Sequence, residues 1–165
     1  MKRILTALTL VALAGLGLGC KKPKTVNQGV TAAEVLATAD KQMKKGDFNE
    51  ARTTLRHLEQ YLPGSAEFPK AKLMLGDSFF FQSSPSYPEA EVEYASFLNY
   101  FPRHELRDYA MYHRALCHFS SIESAERDQA ETRKALEGFQ QLQRESPGSP
   151  YAGEVKAKIL QCWRR

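Results

Sequence analysis

Few residues in this chain stand at spacings that could support chemistry. His113 and Cys117 are four apart, which puts two metal ligands on one face of a helix. Zinc needs four ligands, or three and a water, and His118 faces another way. The pair therefore predicts no metal site, but a small buried thiol beside a histidine that is either at the surface or held by a polar partner. Cys117 and Cys162 each follow a proline, Pro102 or Pro147, by fifteen residues, so they occupy equivalent places on successive helices. Packed helix axes lie about 8–10 Å apart, beyond the ~7 Å between Cα atoms that a disulfide spans. Two free thiols are expected.

The catalytic signatures are missing. There is no G-x-S-x-G, no phosphate-binding glycine loop and no H-E-x-x-H. Acidic residues fall at helix starts or on solvated faces. His57 is expected at a helix surface, and His104, just after a proline, is expected to cap the next helix. The 165 residues are 42% hydrophobic and 25% charged, with a formal net charge of +4. Lys2 and Arg3 belong to a segment expected to be removed, which leaves 21 basic residues against 19 acidic ones. That balance argues against a nucleic-acid surface.

The elements that position these side chains repeat. Counted back from Pro63, Pro102 and Pro147, positions twelve, eight and five residues earlier hold Ala51, Leu55 and Leu58; Ala90, Tyr94 and Phe97; and Ala135, Phe139 and Leu142. A small–large–large pattern at spacings of four and three lies on one helical face, and the proline stops each helix. Possible capping boxes stand at Thr31…Glu34, Asp47…Glu50, Ser86…Glu89 and Asp128…Glu131. Together they predict helices over 31–45, 48–62, 68–82, 87–101, 106–120, 129–145 and 151–163. The fold class is all-α, an α-solenoid of about three and a half helix pairs.

Ahead of the repeats, Lys2 and Arg3 precede an apolar run, Ile4 to Leu18, that is too short to span a bilayer. The run ends at Gly19-Cys20, which resembles the lipobox of bacterial lipoproteins. The resemblance implies a signal peptide over 1–19 and a lipidated Cys20. The lipid would be the only covalent group, with no other cofactor. Lys21 to Val30 completes a flexible tether over 20–30, and the repeat domain fills 31–165. Gly17 stands where the lipobox prefers leucine. Lys21 is not the aspartate associated with inner-membrane retention, so the resemblance points to the periplasmic face of the outer membrane.

The repeat pattern resembles the tetratricopeptide motif. Ala39, Gly76 and Ala115 fill its small helix A position, and Phe48, Tyr87 and Thr132 open helix B. Two segments, Phe97 to Leu116 and Arg127 to Ile159, resemble the BamD family, lipoproteins of the outer-membrane β-barrel assembly machinery. They carry Phe101-Pro102-Arg103-His104, the helix from Asp108 to Leu116, and Ser146-Pro147-Gly148-Ser149-Pro150-Tyr151. Membership would imply a non-catalytic protein. Its partners would be a BamA-like barrel subunit, other assembly lipoproteins and unfolded outer-membrane proteins. A secretin pilotin or other periplasmic tetratricopeptide lipoprotein is the rival reading, and an enzyme accessory module a weaker one. Family members run on through further repeats that help dock BamA, whereas this sequence stops at Arg165 inside the fourth.

The motif also implies a concave groove lined by the A helices. Its positions would be Leu36, Asp40 and Met43 in the first repeat, then Lys70, Leu73, Asp77, Phe80 and Phe81 in the second. Tyr109, Tyr112, Leu116 and Phe119 would follow in the third. Phe79, Phe80 and Phe81 in succession cannot share one helical face, so at least one should point away from the core within its own helix pair, either offering a surface to extended peptides or packing between repeats. Val155, Ile159 and Trp163 have no following helix in the sequence to cover them.

Overall fold

The structure, a computed structural model, describes residues 30–122 and 129–164. The expected signal peptide, Cys20, most of the tether and the Asp128 capping box lie outside the described residues. Every regular element among the described residues is a helix: α1 (Ala32–Lys45), α2 (Phe48–Tyr61), α3 (Phe68–Phe80), α4 (Tyr87–Tyr100), α5 (Arg107–Ser120), α6 (Gln129–Glu145) and α7 (Ala152–Trp163). Consecutive helices pack against one another. This is the expected tetratricopeptide-like solenoid: three antiparallel pairs and the first helix of a fourth. Helices α1, α3, α5 and α7 are the A helices; α2, α4 and α6 are the B helices.

The nine repeat positions carry the packing. Ala51, Leu55, Leu58, Ala90, Tyr94, Phe97, Ala135 and Phe139 are fully buried, and Leu142 is 1% exposed. Burying each large member contributes about 1.5–3 kcal/mol. Small residues set the distance between paired helices. Gly76 lies under the Tyr94 ring, and a Cβ on Gly138 would come 2.9 Å from Ala115 Cβ.

Local signals fix the helix ends. Thr31 accepts from the Glu34 amide, and Glu34 Oε2 accepts from the Thr31 amide at 2.8 Å, a complete capping box. Gly46, at φ 82°, ends α1 in the left-handed region that favours glycine. The boxes expected at Asp47 and Ser86 do not form. Asp47 sits in the tight turn after Gly46 with ψ 55°, outside the extended region a capping residue needs, and its side chain makes no cap bond. The Ser86 hydroxyl donates to Glu89 instead of accepting from the backbone. Helix α3 stops at Phe80, before the expected Gln82, and the Ser86 amide turns back to the Phe79 carbonyl at 2.9 Å.

One polar cluster ties α2, α3 and α4 together. Lys72, 3% exposed, donates to Glu93 and Glu59, each at 2.9 Å, and Arg56 donates to the same two carboxylates. Burial alone would raise the Glu59 pKa, but hydrogen bonds from Lys72 and Arg56 outweigh it and hold the carboxyl below its ordinary value.

The antiparallel pairing gives the solenoid two ends. B helices finish and A helices begin at the end that carries Pro63, Pro102 and Pro147, here the proline end. The opposite end carries the turns that join each A helix to its B helix.

Candidate functional site

The densest constellation of aromatic and ionisable side chains lies on the A helices. Asp77 on α3 accepts through Oδ1 from two phenols, Tyr94 at 2.7 Å and Tyr109 at 2.8 Å. One turn on, α3 ends at Phe80, whose ring meets that of the capping residue Phe81 edge to face at 4.9 Å. Helix α5 supplies Tyr109, Tyr112 and His113. Tyr151, at the start of α7, stacks on Tyr112 with centroids 4.6 Å apart and planes 11° from parallel. Glu154 accepts from the Tyr112 hydroxyl.

His113 lies at the centre. The rings of Phe80, Phe81, Tyr94, Tyr109 and Tyr112 approach it with centroids 4.2–5.7 Å away. It is 8% exposed, and its Nδ1 is buried with no hydrogen-bond partner. This corrects the expected surface or polar-satisfied histidine: five rings enclose it because α3, α4 and α5 converge there. Burial pushes its pKa down to about 4, against a weaker opposing pull from the Glu154 charge. Burial also raises the Asp77 carboxyl, partly offset by the two phenols. The Tyr94 and Tyr109 phenols are raised, first by burial and then by the Asp77 charge. At neutral pH His113 is therefore uncharged, and the Asp77 and Glu154 side chains serve as hydrogen-bond acceptors for the surrounding phenols.

The expected groove residues divide. Phe81 is 53% exposed, the outward phenylalanine that the Phe79–Phe81 run required. Phe79 lies under the Arg52 guanidinium at 4.4 Å. Phe80 and Tyr109 are half-buried against the second-repeat core, Leu116 against the third, and Leu36 and Met43 against the first. Leu73, Tyr112 and Phe119 do not line an open groove; they are buried. Stacking of successive A helices causes this. Leu73 packs in one cluster with Ala110 of α5, while α7 covers Tyr112 through Tyr151 and Phe119 through Lys158, whose Nζ lies 4.2 Å from the ring centroid. His113, Tyr151 and Glu154 were not among the expected groove residues. The four-residue step from Tyr109 to His113 was the available signal.

Other expectations resolve simply. Cys117 and Cys162 are buried thiols in different core clusters, and burial pushes the Cys117 thiol up to about 12. His104 Nδ1 accepts from the Leu106 amide at 3.1 Å, closing the turn before α5. His57 is half-buried rather than at the surface, its ring tilted against Tyr61 with centroids 4.5 Å apart. Among the described residues no group of three or more His, Cys, Asp or Glu side chains could hold a metal ion, and no helix is long and apolar enough to cross a membrane.

A cavity of about 660 Å³ opens on the other side of α5, between α4 and α6. Most of its charges pair among themselves and their neighbours: Arg114 with Glu91 at 2.7 Å, Lys134 with Glu131 at 2.8 Å, and Arg107 with Glu145. It presents no convergent unpaired polar set, so the A-helix face is the stronger candidate.

A family model described as "Outer membrane lipoprotein", YfiO, matches residues 28–163 of this chain. The chain belongs to the YfiO family. This YfiO-family chain is similar to the outer membrane protein assembly factor BamD of Caulobacter vibrioides, 28% identical over 156 residues, which cover 94% of this chain and 50% of the relative. The Haemophilus influenzae protein of the same name is 26% identical over 167 residues, covering 95% of this chain and 63% of that protein. The Vibrio cholerae protein is 25% identical over 164 residues, covering 92% and 67%. The YfiO-family chain thus spans half to two thirds of the length of these relatives.

Proposed function

We propose that this chain is a non-catalytic component of outer-membrane β-barrel protein assembly, anchored by lipid on Cys20 at the periplasmic face of the outer membrane. Its A-helix face binds extended, aromatic-ended segments of unfolded outer-membrane proteins, and its partners are a BamA-like barrel subunit and other assembly lipoproteins. The observation that carries this reading is the aromatic cluster around His113, on a chain whose relatives are named outer membrane protein assembly factors. Half-exposed Phe81 offers a hydrophobic contact, while Asp77 and Glu154 supply polar edges that could orient a peptide backbone.

The test is recovery of the acylated protein from membranes, with mass spectrometry of what accompanies it. A barrel-forming assembly subunit among the partners supports the reading. A secretin in its place makes the chain a pilotin-like scaffold and sinks the assembly role. The mass of the N-terminal fragment reports separately whether Cys20 is acylated.

A further inference from the structure

At the proline end, two exposed tyrosines occupy the same place in successive repeats. Tyr61 closes α2 and Tyr100 closes α4, each two residues before its repeat proline. They are 61% and 66% exposed. Both are held by their surroundings: Tyr61 by the His57 ring, and Tyr100 by the edge of Phe68 at 6.3 Å and by Lys72 Nζ at 6.0 Å from its centroid. In the third repeat the equivalent residue is Glu145, which is paired with Arg107. The aromatic edge therefore belongs to the first two repeats.

The same end is where the chain enters the fold. Ala32, at the start of α1, packs in one cluster with Leu58, Phe68 and Leu62, and exposed Val30 precedes it. Ten residues separate Cys20 from Thr31, a reach of at most about 40 Å when the eleven steps are fully extended. An anchor at Cys20 would thus attach the solenoid to the bilayer through this end, on a tether long enough that surface contacts must set its orientation. The opposite end lies about 20 Å farther away, the length of a fourteen-residue helix.

We propose that the Tyr61–Tyr100 edge is a membrane-contact surface that rests on the lipid interface and fixes the orientation of the solenoid on the bilayer. The proposal rests on lipidation of Cys20. Tyrosine suits the role because its ring enters the apolar boundary while its hydroxyl stays among headgroups. Exposed Lys70 and Arg103 stand among Glu34, Glu67 and Glu105 beside the rings, while Lys21, Lys22 and Lys24 follow the anchor directly, so anionic headgroups draw in the tether and the rings seat the solenoid itself.

The test is hydroxyl-radical footprinting of the acylated chain on phosphatidylethanolamine/phosphatidylglycerol vesicles, against the Cys20→Ala chain in solution. Tyr61 and Tyr100 are expected to oxidise about threefold or more slowly on vesicles, because rings seated among headgroups are shielded from the aqueous radical, while Phe81 and Trp163 are unchanged. Equal rates with and without vesicles overturn the proposal. So does protection that appears only when membrane proteins are added, which would make the edge a protein interface. If Cys20 proves not to be acylated, the anchor reading fails by itself. Coupling the Cys20 thiol to a maleimide lipid, with Cys117 and Cys162 buried, then puts the edge to the same footprinting comparison.

Discussion

Gly76 lies so close beneath the Tyr94 ring that a Cβ at Gly76 would sit 2.7 Å from the ring edge. Tyr94 cannot retreat. It is fully buried, and its hydroxyl is held by Asp77. Gly76→Ala is therefore expected to destabilise the fold by about 1–3 kcal/mol through overpacking. Gly153, in α7, has nothing within 4 Å of a built Cβ, so Gly153→Ala should be neutral or stabilising by up to about 1 kcal/mol. Urea unfolding of the two variants reads the contrast. Equal stabilities would mean the α3–α4 spacing is not set by Gly76.

Much of this architecture was legible in the sequence because its signals are local and repeated. Ala51, Leu55 and Leu58 recur as Ala90, Tyr94 and Phe97, and helical period and proline spacing alone place each on a buried face. The site was less legible because it is made between repeats. Nothing in the neighbourhood of Tyr112 shows that Tyr151 will stack on it from 39 residues away, and that stacking turned an expected groove residue into a core residue. The burial of His113 likewise depends on Phe80 and Phe81 crossing from α3. Asp47 shows the local limit: its type suits a cap, but the glycine turn before it sets the wrong backbone angle.

His113 makes the fold sensitive to acid. Its pKa in the fold is about 4, below the ordinary value of 6.5. Between those values the unfolded chain binds a proton that the folded chain does not, so stability falls as pH drops from about 6.5 to 4. The loss amounts to about 3 kcal/mol at most. Asp77 acts in the opposite sense: its raised pKa lets the fold take up a proton first, offsetting part of the loss at the acid end. The His113→Phe variant keeps a flat ring in the cage and should flatten the stability profile between pH 6.5 and 4. Identical profiles for the two proteins would show that His113 is not the titrating group.

The Lys72 cluster should respond unequally to single and double substitution. Lys72→Met leaves Glu93, 5% exposed, facing Arg56 alone, and should cost about 3 kcal/mol because a buried charge loses its buried partner and keeps only a half-exposed one. Adding Glu93→Met removes that charge, so the double variant should recover most of the loss. Denaturant unfolding of all four proteins in the cycle gives the coupling. Additive losses would mean that the two side chains do not act as a pair.

Phe81 separates binding from folding. It is half exposed and meets the Phe80 and His113 rings edge to face, so Phe81→Ala should change stability by about 1 kcal/mol or less. If the A-helix face takes aromatic-ended peptides, the same change removes an exposed ring from the contact. Affinity for such a peptide should then fall about tenfold, the effect of losing ~1.4 kcal/mol. Tyr61→Ser, at the other end of the solenoid, should leave peptide affinity unchanged while reducing contact with the bilayer. Titration calorimetry with an extended, aromatic-ended peptide measures the first effect. Unaltered affinity in Phe81→Ala, with the fold intact, would place peptide binding elsewhere on the chain.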